Sequence, residues 1–509
     1  MNPRILSGLT AWWLAAAVSS APAQPAPAPA TLADLRERLT AHVSQPHFAA
    51  STWGVKVVSL ESGKTLFEHN AEKLFSPASN SKLYTVALAL DQLGGDYRIK
   101  TTLYAAAKPS RNGTLKGDLM VYGRGDPSIH GRWHGGDVYA ALAPLVAALT
   151  NAGVKRISGD LIGDASFIQG PPYGSGWDWE DLQYYYGAEL SALTINDNTL
   201  ELAIQPGERE GDPCRLTLSP ATAYVILSNR TETVTATGRR NIRTYRPLGG
   251  NVVYVSGQMP LGITNYTETV TLHNPAGLFV SLFKEALARQ GIKVSGQLRT
   301  MDWLDRQARP SDWDKLVELG SMASPPMREL ARNIQKPSQN LHTDLLLAHV
   351  GALSESDNAP GRGTSEAAGI RQLRAFLDKT GVPRDEVQFE EGSGLSRNNL
   401  TTPNATIALL QFMDRHAEAA AYLNALPIAG VDGTLRNRMR GTPAAGNVRA
   451  KTGTLRWANS LSGHVTTAAG ERLIFSIMLN RYAAGSHPPA RNEIDKIAVM
   501  LAEFSGRSE

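Results

Sequence analysis

Pro77-Ala78-Ser79-Asn80-Ser81-Lys82, running on into Leu83-Tyr-Thr-Val-Ala-Leu-Ala-Leu-Asp-Gln-Leu93, decides how this chain folds and where its chemistry lies. The apolar run has helical periodicity and stops at Gly94-Gly95, so Ser79 stands at or just before the first turn of a buried helix. Ser79 and Lys82 are three residues apart, neighbours on one helical face, which puts the amine within reach of the hydroxyl. A serine hydroxyl is a poor nucleophile until a group takes its proton. Lysine takes it only when largely neutral, and desolvation and the positive end of a helix both push its pKa that way. The Ser79 N–H, unpaired at a helix start, is free to point into an oxyanion hole.

Two further motifs follow in order. Ser338-Gln339-Asn340 lies on a short connection between helical stretches at 326–335 and 340–354. A hydroxyl there can relay a proton to a leaving amine, and the Asn340 amide can hold a substrate carbonyl. Serines at such places also simply cap the next helix. Lys451-Thr452-Gly453-Thr454 sits in a strand followed by two more. Gly453 leaves room for a peptide to lie along that strand. Lys451 and Thr452 suit a terminal carboxylate, and the Thr454 N–H completes the oxyanion hole. Lys451 is also the second cation expected to depress Lys82.

Each motif has decoys. Ser281-Leu-Phe-Lys284 falls in an ordinary amphipathic helix, and S-x-N recurs at Ser110, Ser356 and Ser396. Lys379-Thr-Gly381 ends a helix, with Gly381 as its cap. Only context separates these from the set above. The chain has no G-x-S-x-G and no H-E-x-x-H, and its eleven histidines lack metal-ligand spacing. No metal and no cofactor are expected. The single cysteine, Cys214, reads as structural.

At 509 residues two or three domains are expected. A hydrophobic fraction of 42% against 19% charged excludes a disordered chain. The formal charge of +4 is scattered, which speaks against nucleic acid and allows at most a loose association with an anionic wall or membrane surface. Residues 1–23 read as a signal peptide, with Arg4, an apolar run from Leu9 to Val18, and Ala21-Pro-Ala23 before the cut. Residues 24–31 form a Pro/Ala spacer, and no later run has the ~20 apolar residues of a membrane span. Export to the periplasm follows. A hairpin over 51–69 and the Ser79 helix open the structured part; helices and three strands (447–455, 460–467, 472–479) close it. Between them, short strands punctuated by turns fill a β-rich insertion. The expected fold is a multi-domain α/β protein. Residues 32–96 and 316–509 make one α/β sandwich on an antiparallel sheet, interrupted by an insertion, 97–315, of one or two nested domains.

The ordered S-x-x-K, S-x-N and K-T-G set resembles the class C low-molecular-mass penicillin-binding proteins, the D-alanyl-D-alanine carboxypeptidase/endopeptidase family. Gly125-Asp-Pro127, Trp177-Asp-Trp-Glu-Asp-Leu182 with Tyr186-Gly-Ala188, Asn196-Asp-Asn198, Gly392-Ser-Gly-Leu-Ser-Arg397 and Leu426 through Leu435 are similar to family segments too. The resemblance implies a transpeptidase-like, β-lactamase-like fold. It implies cleavage of terminal D-Ala and of D-Ala-diaminopimelate cross-links in peptidoglycan, with β-lactams as covalent inhibitors. By resemblance Ser79 is the nucleophile and Lys82 its base. Ser338 and Asn340 move the proton and hold substrate, and Lys451, Thr452, Gly453 and Thr454 bind the carboxylate and form the oxyanion site. Asp181 and Arg397 resemble the residues that receive the free end of diaminopimelate. The chain departs from the pattern at Gln339, where the family often has Asp, and at Asp344, where it usually shows Glu. Two other readings remain. A β-lactamase uses the same motifs but needs a deacylation base, and none is evident. A wall-binding scaffold would lack one of Ser79, Lys82, Ser338, Asn340 or Lys451.

Overall fold

The computed structural model describes residues 28–264, 266–309, 315–354, 363–483 and 489–509. The expected signal peptide, residues 24–27 of the spacer, and Ser356-Asp-Asn358 lie outside them.

Alternation builds the central sheet. Along Arg472–Asn480, Leu473, Phe475, Ile477 and Leu479 enter one core while Ile474 enters the other, as the two-residue period of a strand requires. This strand pairs antiparallel with Thr52–Ser59 on one side and Ala458–Thr466 on the other. Arg449–Leu455 and Thr65–His69 complete five strands as the two edges. The beginning and end of the chain therefore meet in the middle of one sheet, with Thr52 opposite Asn480.

Helices cover both faces. Leu32–Val43 and Ala490–Glu503 bury Leu35, Leu39, Ile494, Ile497 and Leu501 on one. The first of these was not anticipated. Its Leu35, Leu39 and Val43 recur every four residues, and Thr31 caps it by accepting the Asp34 N–H. The opposite face carries Ser81–Leu93, Met327–Gln335, Asn340–Ser354, Ser365–Thr380 and Pro403–Asp414.

Lys100–Ala105, Leu119–Tyr122, Leu161–Asp164, Leu298–Met301 and Val317–Ala323 form a second five-stranded sheet, part parallel and part antiparallel. Helices Val138–Asn151 and Pro275–Arg289 pack with it. Six strands between 199 and 271 make two three-stranded sheets whose apolar side chains join the same core. Val317–Ala323 pairs with Lys100–Ala105, so this strand lies in the insertion's sheet although the sequence reading placed it after the insertion's end at 315. Its residues are half-exposed or exposed throughout, and such a pattern does not say which sheet a strand joins.

Candidate active site

Ala78–Asn80 form one tight 3-10 turn that runs directly into Ser81–Leu93. Ala78 adopts φ +48°, unfavourable for an L-residue, so the surroundings must hold it. Ser460 Oγ donates to Pro77 O at 2.6 Å and Asn80 Nδ2 donates to Ser462 Oγ at 2.7 Å, stapling the turn to the sheet. Gly453 lies against the same turn: a Cβ there would sit 2.3 Å from Pro77 O and 3.1 Å from Ser79 N. The K-T-G strand therefore approaches the Ser79 backbone as closely as only glycine permits.

Lys82 is fully buried and makes three contacts. Its Nζ lies 2.6 Å from Asn340 Oδ1, 2.6 Å from Ser393 O and 3.0 Å from Ser79 Oγ. Asn340 Nδ2 donates to Tyr186 O at 3.0 Å, which fixes the amide with its oxygen toward Lys82. The first two partners can only accept. A neutral amine spends its two N–H groups on them and has its lone pair left for the Ser79 hydroxyl, the geometry of a base poised on a nucleophile. Burial lowers the Lys82 pKa to about 8, opposed by the charges of Asp344 and Glu391.

Lys451 is equally buried and donates to Ser338 Oγ at 2.8 Å and to Thr452 O at 2.7 Å. Burial, then the charge of Lys82, holds it well below the lysine range. The two amines disfavour each other's charge, while burial is the larger cause of the shift at both. Ser338 adopts φ +68°. Thr452 Oγ1 donates to Thr434 Oγ1 at 2.8 Å and Thr454 Oγ1 to Asn459 Oδ1 at 3.1 Å.

Two carboxylates lie beneath Lys82: Asp344, noted in the sequence only as a departure from the family pattern, and Glu391, which was not singled out. Asp344 Oδ1 accepts the N–H groups of Gly392 and Ser393, each at 3.0 Å. Glu391 accepts from Ser393 N at 2.9 Å, Ser393 Oγ at 2.5 Å, Gly394 N at 2.7 Å and Asn399 Nδ2 at 2.7 Å. Together they shape the loop whose Ser393 carbonyl binds Lys82. Burial and the neighbouring Glu391 push Asp344 well above the usual carboxylate range. One signal was available, since Asp344 is one helical turn beyond Asn340.

Arg397 and Asp181 do come together, at 3.6 Å, but the closer partner is Asp178 at 2.6 Å, which sequence reasoning missed. Trp179, Tyr184 and Tyr185 of the same segment as Asp178 and Asp181 are exposed, and Tyr184 stacks on Tyr186 at 5.3 Å between centroids. The decoys resolve locally. Ser281 Oγ donates to Gly277 O within its own helix at 2.9 Å, Ser110 Oγ donates to Asn112 Oδ1 at 2.6 Å in a turn, and Gly381 ends its helix at φ +76°.

Residues 35–504 match the profile of the D-Ala-D-Ala carboxypeptidase 3 (S13) family. The chain is 34% identical over 488 residues to the D-alanyl-D-alanine carboxypeptidase of an Actinomadura species, spanning 94% of this chain and 86% of that protein. It is 25% identical over 442 residues to the carboxypeptidase DacB of Haemophilus influenzae, 86% of either chain. Its fold matches the crystal structure of penicillin binding protein 4 from Haemophilus influenzae with a TM-score of 0.76 at 24% identity, covering 92% of this chain and 98% of that one. The same Haemophilus protein complexed with a β-lactam matches with a TM-score of 0.71 at 23% identity. With the profile spanning nearly every described residue and all three motifs gathered at one cleft, this chain belongs to the D-Ala-D-Ala carboxypeptidase 3 (S13) family.

Proposed function

We propose that Ser79 is the acylated nucleophile of a serine-type D-Ala-D-Ala carboxypeptidase that also cleaves D-Ala-diaminopimelate cross-links of peptidoglycan. The observation that carries this is the bonding of Lys82: two partners that only accept, and a third that is the Ser79 hydroxyl. Ser79 Oγ attacks the carbonyl carbon of the scissile amide as its proton passes to Lys82 Nζ. Negative charge on the carbonyl oxygen is met by the N–H groups of Ser79 and Thr454. The C–N bond breaks as the leaving amine receives a proton through the Ser338 hydroxyl, which Lys451 holds in place. Water then attacks the ester, returning the proton to Ser79 and releasing the shortened peptide.

Lys451 and Thr452 bind the terminal carboxylate, in keeping with the edge position of their strand, which leaves one side open for an extended peptide. Arg397 and Asp181, with Asp178, receive the zwitterionic free end of diaminopimelate, the guanidinium facing its carboxylate and the two acids its ammonium. A β-lactam follows the first half of this path, but its leaving amine stays tethered to the acyl group. The site of action is the cell wall outside the cytoplasmic membrane. Supporting this are the signal-like residues 1–23 and the absence, among the described residues, of any helix long and apolar enough to cross a membrane.

The test is fluorescent penicillin followed by peptide mapping. Stable label on the Ser79 peptide, lost in Ser79→Ala, is the expected result. Rapid penicillin turnover without label would make the protein a β-lactamase, and neither label nor turnover would make it a scaffold.

A further inference from the structure

We propose that Asp197, carried by the inserted region, is a positioning residue for the S-x-N segment, and that Gln339 is the side chain through which it acts. The inference rests on Ser338 and Asn340 having the roles proposed above. Asp197 sits in a turn where Asn196, Asp197 and Asn198 all adopt positive φ, at 52°, 55° and 54°. That turn is tied down on the insertion's side. Asn196 N donates to Ile129 O at 2.8 Å, Asn198 Nδ2 to Glu189 O at 2.7 Å, and Asn198 Oδ1 accepts Thr194 Oγ1 at 2.6 Å.

Toward the catalytic part, the Asp197 carboxylate is a hub of donors. Gln339 Nε2 donates to Oδ2 at 3.2 Å and His342 Nε2 to Oδ1 at 2.7 Å. Arg132 forks onto both oxygens at 2.5 and 3.0 Å, and His130 Nε2 lies 3.2 Å from Oδ2. Arg132, His130 and His342 are the charged and titratable groups facing it. Burial would raise the Asp197 pKa, but His342 and His130 outweigh it and hold the carboxyl well below its usual range. His342 Nε2 faces a carboxylate, which only accepts, so it is the nitrogen that carries the proton toward Asp197; among the described residues its buried Nδ1 has no partner.

Gln339 is the residue between Ser338 and Asn340. Its N–H donates to Ile334 O at 3.0 Å and its carbonyl accepts Thr343 Oγ1 at 2.6 Å. With the side chain held by Asp197, the peptide unit is fixed on three sides. This holds Ser338 at φ +68° with Oγ on Lys451, and Asn340 with Oδ1 on Lys82. A left-handed serine persists only where its surroundings over-determine it. The chemistry also accounts for the amide at 339. An amide donates to a carboxylate, whereas a carboxylate there would confront Asp197 with a like charge, a repulsion that a shared proton relieves.

The test compares wild type, Gln339→Glu, Asp197→Asn and the double variant by β-lactam acylation rate and by kcat and KM on a D-Ala-D-Ala peptide. Gln339→Glu is expected to slow acylation about 10- to 100-fold at pH 8, the scale of a misplaced reacting group, while KM moves less than threefold. Its rate relative to wild type should recover as pH falls, because one proton shared by the pair relieves the repulsion. The double variant should recover part of the loss, because the amide of Asp197→Asn donates to the new carboxylate while giving up one of the oxygens that Arg132, His130 and His342 share. Hydrogen exchange at residues 336–343, which needs no turnover, should speed up in Gln339→Glu and slow again in the double variant. A wild type that never labels sinks the catalytic reading, and the exchange measurement then still decides this one. Wild-type rates in Gln339→Glu, or a double variant no better than the single one in both rate and exchange, would overturn the proposal.

Discussion

Burial moves the Lys82 amine from 10.5 to about 8, a change of about 3.5 kcal/mol at ~1.4 kcal/mol per unit. At pH 7 about one amine in ten is then neutral, against about one in 3,000 for an ordinary lysine. With the neutral form as the proposed base, acylation should rise with pH, roughly tenfold per unit below pH 7, and level off above about 8. The charge of Glu391 opposes the shift, so Glu391→Gln should lower the Lys82 pKa further and move the rising limb to lower pH by up to about one unit. Penicillin acylation rates from pH 6 to 10 check both. An unmoved limb, or one displaced upward, would separate Glu391 from Lys82.

Strand Arg449–Leu455 does its work through where its backbone runs. Ala450 packs into the core of one sheet face, while Lys451 and Gly453 turn toward the Ser79 cleft, as alternation demands. At Gly453 a Cβ would lie 2.2 Å from Ser460 Oγ and 2.3 Å from Pro77 O. The hydroxyl can swing away, but the carbonyl belongs to the stapled turn before Ser79 and cannot. Gly453→Ala should therefore spread strand and turn by several tenths of an ångström. The expected result is about 10- to 100-fold slower acylation, with a folded protein by circular dichroism. A wild-type acylation rate would show that the turn yields freely.

Across the whole molecule, the insertion meets the catalytic part at many points, among them Ser175 on Glu366 and Gln169 on Ser365, and some of them fall on the active site. The Tyr186 carbonyl orients Asn340, and Asp178 and Asp181 hold Arg397. The Arg397 side chain is 41% exposed and its partner Asp178 55%, so the pair adds little to stability. Arg397→Ala should leave the fold and penicillin acylation within about twofold of wild type. It should lower kcat/KM about tenfold for a peptide carrying free diaminopimelate, the loss of one charge-assisted contact. Equal losses on both substrates would remove Arg397 from substrate recognition.

The three motifs, the helix behind Ser79, the closing strands and the β-rich character of the insertion were legible in the sequence. All are local: a helix cap, a two-residue alternation or a hydroxyl three positions from an amine is written within a few consecutive residues. The pairing of Asp181 with Arg397 became legible through resemblance to a family, not through spacing. What the tertiary structure alone decided comes from distant parts of the chain. Asp344 and Glu391 are ordinary acids in the sequence, and become neighbours of Lys82 only when a helix and a loop are packed around it. Val317–Ala323 shows its sheet only through its partner Lys100–Ala105. Asp197 meets Gln339 across 142 positions. Burial and charge proximity depend on the whole packed arrangement. Sequence therefore named the groups proposed to react, and the fold determined which groups surround and hold them.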